Sequence, residues 1–203
     1  MTSPDQPQSQ RLIAFGPLAA CLACLRLQHD ALHGIAGDMT ILQLLWLQAG
    51  YLQPLSMLVL AGLMFGVTQK RAIPQWLMLS AIFATCCGAG LGLPLTPAQF
   101  GSNFWPATLL RWSIGPAALI WWLSTAPPAP SRRDLAKLAI GPLAYLAYLA
   151  YMLIRGMAQG LWPAAELQQI TTPQAALLPF GGAMLAYGLL TALTALFWKT
   201  PKG

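Results

Sequence analysis

Arg111 is the side chain that most demands an explanation. It lies about seven residues into an apolar run, roughly 10 Å deep at a helical rise of 1.5 Å per residue. A guanidinium at that depth of a bilayer costs on the order of 3 kcal/mol, so it should face a cavity or a partner, or snorkel to the outer interface along its own stem. A second polar feature begins 34 residues later. Tyr148, Tyr151 and Arg155 recur at i, i+3 and i+7, with Tyr145 one turn earlier, which places all four on one helical face. That face should look inward, with Tyr151 and Arg155 near enough the boundary to join an interfacial aromatic belt instead. Gly156, Gly160, Trp162-Pro163 and Glu166 follow, a rigid outer loop with one acid to pair Arg155.

His29 and His33 stand four residues apart beside Asp30 and Asp38, a spacing that can hold a metal ion between two imidazoles on a helix. Cys21 and Cys24 have a redox spacing, and Cys86-Cys87 would lie at similar depth. Cysteine is also a common buried small residue, and no orienting carboxylate pattern accompanies the histidines, so no metal or cofactor is expected and His29 with His33 is the weaker alternative. There is no Gly-x-Ser-x-Gly elbow, no His-Glu-x-x-His and no phosphate loop. A Ser–His or Thr–His hydrolase pair would have to borrow His29 or His33 from the outer rim.

Composition settles what must position these groups. Of 203 residues, 16 are charged and 57% are apolar, with a mean hydropathy of +0.58. So few charges cannot clothe a water-facing surface, which excludes a soluble domain and a disordered chain. Nucleic-acid binding is excluded despite the basic balance, because no basic face exists. An integral membrane protein remains. Six apolar runs, Leu12–Leu27, Ile41–Val67, Ile73–Leu93, Phe104–Leu123, Leu135–Ile154 and Ala175–Trp198, predict six transmembrane helices in one domain over residues 12–198. A polar N-terminus (1–11) and a short tail (199–203) flank it. Leu18-Ala19-Ala20-Cys21 matches a lipoprotein cleavage box. The run before it is short, broken by Gly16-Pro17, and continues past the cysteine, so an ordinary first span is the preferred reading.

Charge orients the spans. With the N-terminus inside, Arg11, Lys70, Arg71, Arg132, Arg133, Lys137, Lys199 and Lys202 share one side with Asp5 and Asp134, which carries the whole net charge of +6. This positive-inside pattern predicts both termini cytoplasmic. Close helix approach is expected at Gly62/Gly66, at Ala84/Gly88/Gly92 and at Gly182/Ala186, and helix bends at prolines 54, 116, 142 and 179. No internal repeat supports a duplicated transporter.

The second half resembles a known family. Pro142-Leu143-Ala144-Tyr145-Leu146-Ala147-Tyr148, Arg155-Gly156, Gly160 and Trp162-Pro163 are similar to the signature of the androgen-induced-gene (FAR/AIG-type) six-span membrane proteins, whose bacterial members read Pro-Leu-x-Tyr, Arg-Gly, then Tyr-Pro-Tyr-Pro. Leu110 through Trp122 resembles the preceding span. Gly50-Tyr51-Leu52-Gln53-Pro54-Leu55-Ser56-Met57 sits where the family shows Ser-Tyr-Phe-Thr-Ile-x-Ser-Asn. The likeness covers roughly residues 45–190, and its specific part is Tyr145 to Pro163. The resemblance implies a threonine-type hydrolase of fatty-acid esters, but the family's Thr falls at Gln53 and its His at Trp112, beside Arg111. An amide is no nucleophile and an indole no base.

The leading expectation is therefore a bacterial inner-membrane protein that keeps the scaffold without the reaction. It would bind a lipid or apolar ligand, or serve as accessory subunit of a membrane complex, with membrane lipids and other membrane subunits as partners. Its pocket would draw on Gln53, Ser56, Arg111, Trp112, Tyr145, Tyr148, Tyr151, Arg155, Trp162 and Glu166. The rivals are an active ester hydrolase with a displaced nucleophile, Ser56 or Thr40, a small transporter, and a haem- or metal-bearing anchor.

Overall fold

A computed structural model of the chain describes residues 6–36, 52–91, 104–125, 127–159 and 173–197, and within them the side-chain surroundings of 12–27, 52–89, 104–125, 127–151, 153–155, 157–158 and 180–196. All regular structure among them is helical: α1 (Gln6–Ala36), α2 (Leu52–Thr68), α3 (Gln75–Leu91), α4 (Phe104–Ser124), α5 (Arg132–Leu138), α6 (Ile140–Gln159) and α7 (Pro173–Phe197). Each predicted apolar run contains helix. Residues 41–51 of the second run lie outside the described residues.

The fifth run differs from expectation in being two helices. Ser131 and Asp134 start α5 with reciprocal bonds: the Asp134 N–H donates to Ser131 Oγ (3.1 Å) and the Ser131 N–H donates to Asp134 Oδ2 (2.9 Å). The chain then breaks at Ala139, whose N–H donates to the Ala136 carbonyl in a tighter turn. Pro142 is the cause, because it has no N–H for the Leu138 carbonyl and its ring crowds that oxygen. Pro142 and Pro54 both stand in the first turn of their helices, where a missing N–H costs nothing, so neither bends its helix as the sequence suggests. Pro17, Pro116 and Pro179 are the interior ones.

α3 is the central element. It packs against α2, α4, α5 and α7, and none of its described residues is exposed. Phe83 of α3 meets Tyr187 of α7 edge-on (centroids 5.5 Å apart), Tyr145 of α6 meets the same ring (6.5 Å), and Tyr148 stacks on Phe180 (6.1 Å). α1 lies across α2 and α4, burying Ala20, Cys21 and Cys24 against Met57.

Outside this core the helices expose large apolar side chains, among them Leu12, Leu22, Leu58, Trp105, Leu109, Ile120, Ile154, Leu185 and Leu189. The described charges at Lys70, Arg71, Arg132, Arg133, Asp134, Lys137 and Arg155 sit towards helix ends and in turns, while Arg26 is exposed within α1 and Arg111 is buried within α4. Among the described residues one stretch, Arg132–Arg155 through α5 and α6, is long and apolar enough to cross a membrane. The apolar parts of α1, α2, α3 and α7 are shorter, Leu12–Leu27, Leu52–Thr68, Gln75–Ala89 and Phe180–Leu196.

Among the described glycines, two stand against the main chain of a neighbouring helix. A Cβ on Gly88 would come within 2.9 Å of Gln53 Cβ and 3.1 Å of its Cα, and one on Gly115 within 2.9 Å of the Cys86 nitrogen. These set the α2–α3 and α3–α4 crossings. The expected contacts at Gly62 and Gly182 do not occur, since a Cβ on either would meet nothing within 4 Å. Spacing alone shows that small residues share a face, and it does not show which face packs.

Gly88→Ala and Gly115→Ala should each cost about 1–3 kcal/mol through overpacking, whereas Gly62→Ala and Gly182→Ala should be neutral or slightly stabilising. Thermal unfolding in detergent checks the contrast. The same assay tests Lys70, which closes α2 at φ 58 in a Schellman turn: the Arg71 N–H bonds the Gly66 carbonyl (3.0 Å) and the Lys70 N–H that of Val67 (2.9 Å). Lys70→Gly should stabilise by about 1 kcal/mol by removing left-handed strain.

Candidate functional site

Gln53 enters α2 in its first turn and is fully buried (0% exposed). Its Nε2 donates to the Arg111 carbonyl of α4 (2.7 Å) and to the Thr85 carbonyl of α3 (3.1 Å). Two carbonyls on that side fix the amide's orientation, because only the nitrogen end can donate to them. Its Oε1 is buried with no hydrogen-bond donor among the described residues. One turn on, Ser56 Oγ donates to the Gln53 carbonyl (2.7 Å) and lies 3.1 Å from Thr85 Oγ1, which in turn donates to the Ala81 carbonyl (2.8 Å). Arg111 is buried (4% exposed) and its guanidinium interacts with Cys24 of α1. Four helices thus meet at one polar cluster inside an apolar bundle.

Chemically this cluster ties helices together. The Ser56 and Thr85 hydroxyls each donate to a main-chain carbonyl, and the other close polar neighbour of Ser56 among the described residues is the Thr85 hydroxyl, not an imidazole, carboxylate or amine. Neither a carbonyl nor a second alcohol raises the nucleophilicity of Ser56.

On the other side of Ser56 a cleft of about 350 Å³ opens between α2 and α6, floored by α3 and α7. Its walls are apolar, with Val59 of α2 and Ile140 and Ala144 of α6 along an exposed rim. Four of its lining residues carry hydroxyls, Ser56, Ser80, Tyr145 and Tyr187, of which the Ser80 and Tyr187 oxygens are buried. Tyr145 is satisfied, donating to the Ala84 carbonyl (3.0 Å). Ser80 and Tyr187 approach one another without closing a hydrogen bond of good geometry. A buried hydroxyl left in that state costs on the order of 1–3 kcal/mol. Gly141 permits the arrangement, since a Cβ there would overlap the Tyr187 ring and hydroxyl. Beside the cleft, Lys137 lies over the ring of Trp76, 5.4 Å from its centroid.

The predicted site residues divide accordingly. Gln53, Ser56 and Arg111 come together, and Ser56 and Tyr145 reach the cleft. Trp112 does not join them: it is 49% exposed, because one residue's step turns it 100° away from Arg111. The tyrosine stripe fans outward from buried Tyr145 through half-buried Tyr148 to exposed Tyr151, whose hydroxyl receives a long bond from Arg155 (3.4 Å). Trp162, Glu166 and Thr40 lie outside the described residues, as do the side chains of His29 and His33, whose backbone is in α1. Cys21, Cys24, Cys86 and Cys87 are free thiols. Sequence reasoning misses Thr85, Ser80 and Tyr187. Their only signal is a hydroxyl within an apolar run.

The chain matches no protein-family model, no curated protein and no solved structure.

Gln53→Leu should cost about 1–2 kcal/mol, two hydrogen bonds partly offset by removal of the unpaired Oε1. Gln53→Glu should cost more at neutral pH, although it is nearly isosteric, because its oxygens would face two carbonyls. Protonation would remove the charge and restore one donor, so its excess loss should shrink as pH falls. Chemical denaturation in detergent across pH 5–8 reads both.

Proposed function

We propose that this chain is a six-span protein of a bacterial inner membrane, with both termini cytoplasmic, that binds a lipid or similar apolar ligand in the cleft between α2 and α6. α1, α2, α3, α4, the α5–α6 pair and α7 would be its crossings. The cleft carries the reading. It opens sideways, and its rim residues Val59 and Ile140 belong to the same apolar exterior as Leu58 and Leu143, so a lipid chain would pass from one to the other without meeting water. The exposed apolar belt and the one-sided distribution of Lys and Arg support membrane placement.

The likeness to the androgen-induced-gene family supports a scaffold kept for ligand binding. Its reaction is not proposed for this chain, because Gln53 serves as a clamp, Trp112 faces outward, and Ser56 hydrogen-bonds a main-chain carbonyl.

Native mass spectrometry of protein extracted from its membrane tests the reading. The wild type should retain lipid, and Ala144→Trp, which fills the cleft from its rim, should lose most of it while unfolding at a similar temperature. Equal retention by the variant would contradict the assignment. Reporter fusions at Arg71, Arg132 and residue 203 should all read cytoplasmic, and a periplasmic signal at residue 203 would overturn the six-span count. Purified protein should neither cleave long-chain fatty-acid esters nor react with fluorophosphonate probes.

A further inference from the structure

The cleft has a cationic end. Lys137 lies over the ring of Trp76, and Trp76 is itself part of the cleft lining. This pair stands at the head of two walls. On α3, Ser80 and Ala84 follow Trp76 at i+4 and i+8, and across the gap Ile140 and Ala144 follow Lys137 at i+3 and i+7. Ala139, between α5 and α6, keeps Lys137 in line with the second wall, because φ −62 and ψ −15 are still right-handed helical. From Trp76 to Ala84 the lining runs about 12 Å along α3. Further basic side chains gather at the Lys137 end. Lys70 and Arg71 stand in the turn that leads into α3, and Arg132 and Arg133 open α5, all of them exposed, as is Lys137. The acid of α5, Asp134, is engaged by its helix cap, receiving the Ser131 N–H (2.9 Å) and hydroxyl (2.6 Å).

We infer that the cleft takes an anionic phospholipid, its phosphate seated against the Lys137 ammonium and an acyl chain lying along α3 from Trp76 towards Ala84, an inference that rests on the lipid-binding reading above. A ring face is no lone-pair acceptor, so the N–H donors of Lys137 can serve a phosphate oxygen while the ring holds the ammonium at the mouth. The lining beyond Trp76 carries no charged group, which suits a chain and not a second charge. A free phosphate ion would leave these apolar walls unfilled, and a hydrocarbon would leave the cation unmatched. A zwitterionic headgroup would bring its own ammonium towards Lys137. In the proposed topology this end of the bundle faces the cytoplasmic leaflet, whose anionic phospholipids attract basic side chains at its surface.

Equilibrium binding of two radiolabelled dodecanoyl lysophospholipids to the full chain in detergent tests this. They differ only in headgroup, glycerol for the anionic lipid and choline for the zwitterionic one, and glycerol phosphate serves as the headgroup without a chain. The wild type should hold the anionic lipid about fivefold more tightly than the zwitterionic one, a preference that shrinks as salt rises. Lys137→Gln should lose most of that preference while binding the choline lipid as the wild type does, a pattern that loss of packing alone would not give. Lys137→Arg should keep the preference, and Arg132→Gln with Arg133→Gln should keep most of it. Glycerol phosphate should not compete, and Ala144→Trp should weaken both lipids. An unchanged preference in Lys137→Gln, an equal loss in the Arg132 and Arg133 double variant, or competition by glycerol phosphate at the lipid's own concentration would overturn the headgroup seat and leave lipid binding standing. If Ala144→Trp binds both lipids as the wild type does, the lipid-binding reading itself fails.

Discussion

The two hydrogen bonds from the Gln53 carboxamide hold three helices at one point, and the surrounding geometry is arranged to let them form. An amide reaching the carbonyls of both Thr85 and Arg111 requires α3 and α4 to lie within one side chain's length of α2. Gly88 permits the first approach, since a methyl there would press on the Gln53 backbone, and Gly115 permits the second against Cys86. In an apolar interior such a clamp is directional where dispersion contacts are not. It fixes the register of three helices that could otherwise slide along apolar faces. With that register set, Ser56 falls beside Thr85, and the next face of α2 falls across the gap from α6. The cleft is the space that remains.

The exterior imposes the complementary constraint. Arg111 is the described charge that lies buried within the bundle, and it reaches α1 at Cys24. Apart from Arg26, which is exposed within α1, the other charges with described side chains leave the middle of the helices to apolar side chains. In the proposed membrane setting this division lets every crossing face hydrocarbon and brings polar side chains inward, where each must be met from another helix. Gln53, Thr85 and Ser56 meet one another and the main chain. Ser80 and Tyr187 do not, and they stand in the wall of the cleft.

Much of this is legible in the sequence, and the departures have physical causes. Every apolar run contains helix because mean hydropathy over a long run survives local variation. The break at Ala139 is hidden because a proline inside an apolar run reads as a bend within one span. At the start of a helix, Pro142 instead ends one element and permits another. Small-residue spacing points to Gly62, Gly88 and Gly182 alike, yet only Gly88 of these three meets a neighbouring helix, because periodicity gives a face but not its neighbour. The family resemblance singles out Gln53 and the Arg111–Trp112 pair. Which of that pair turns inward depends on a 100° step that no motif states. Tyr187 signals only a hydroxyl within an apolar run: its seat against α6 depends on Gly141, 46 residues away in sequence.

Both the bundle and the lateral entrance to its cleft require that the apolar exterior meet lipid. Nitroxide labels placed singly at residues 22, 109, 154 and 189 in a cysteine-free chain, reconstituted in vesicles, measure this through relaxation by oxygen and by a water-soluble nickel chelate. All four should be accessible to oxygen and shielded from nickel, with the reverse at residues 70 and 133. Nickel access at residues 109 and 189 equal to that at residue 70 would place those faces in water and contradict the membrane bundle, and with it the lateral entrance to the cleft.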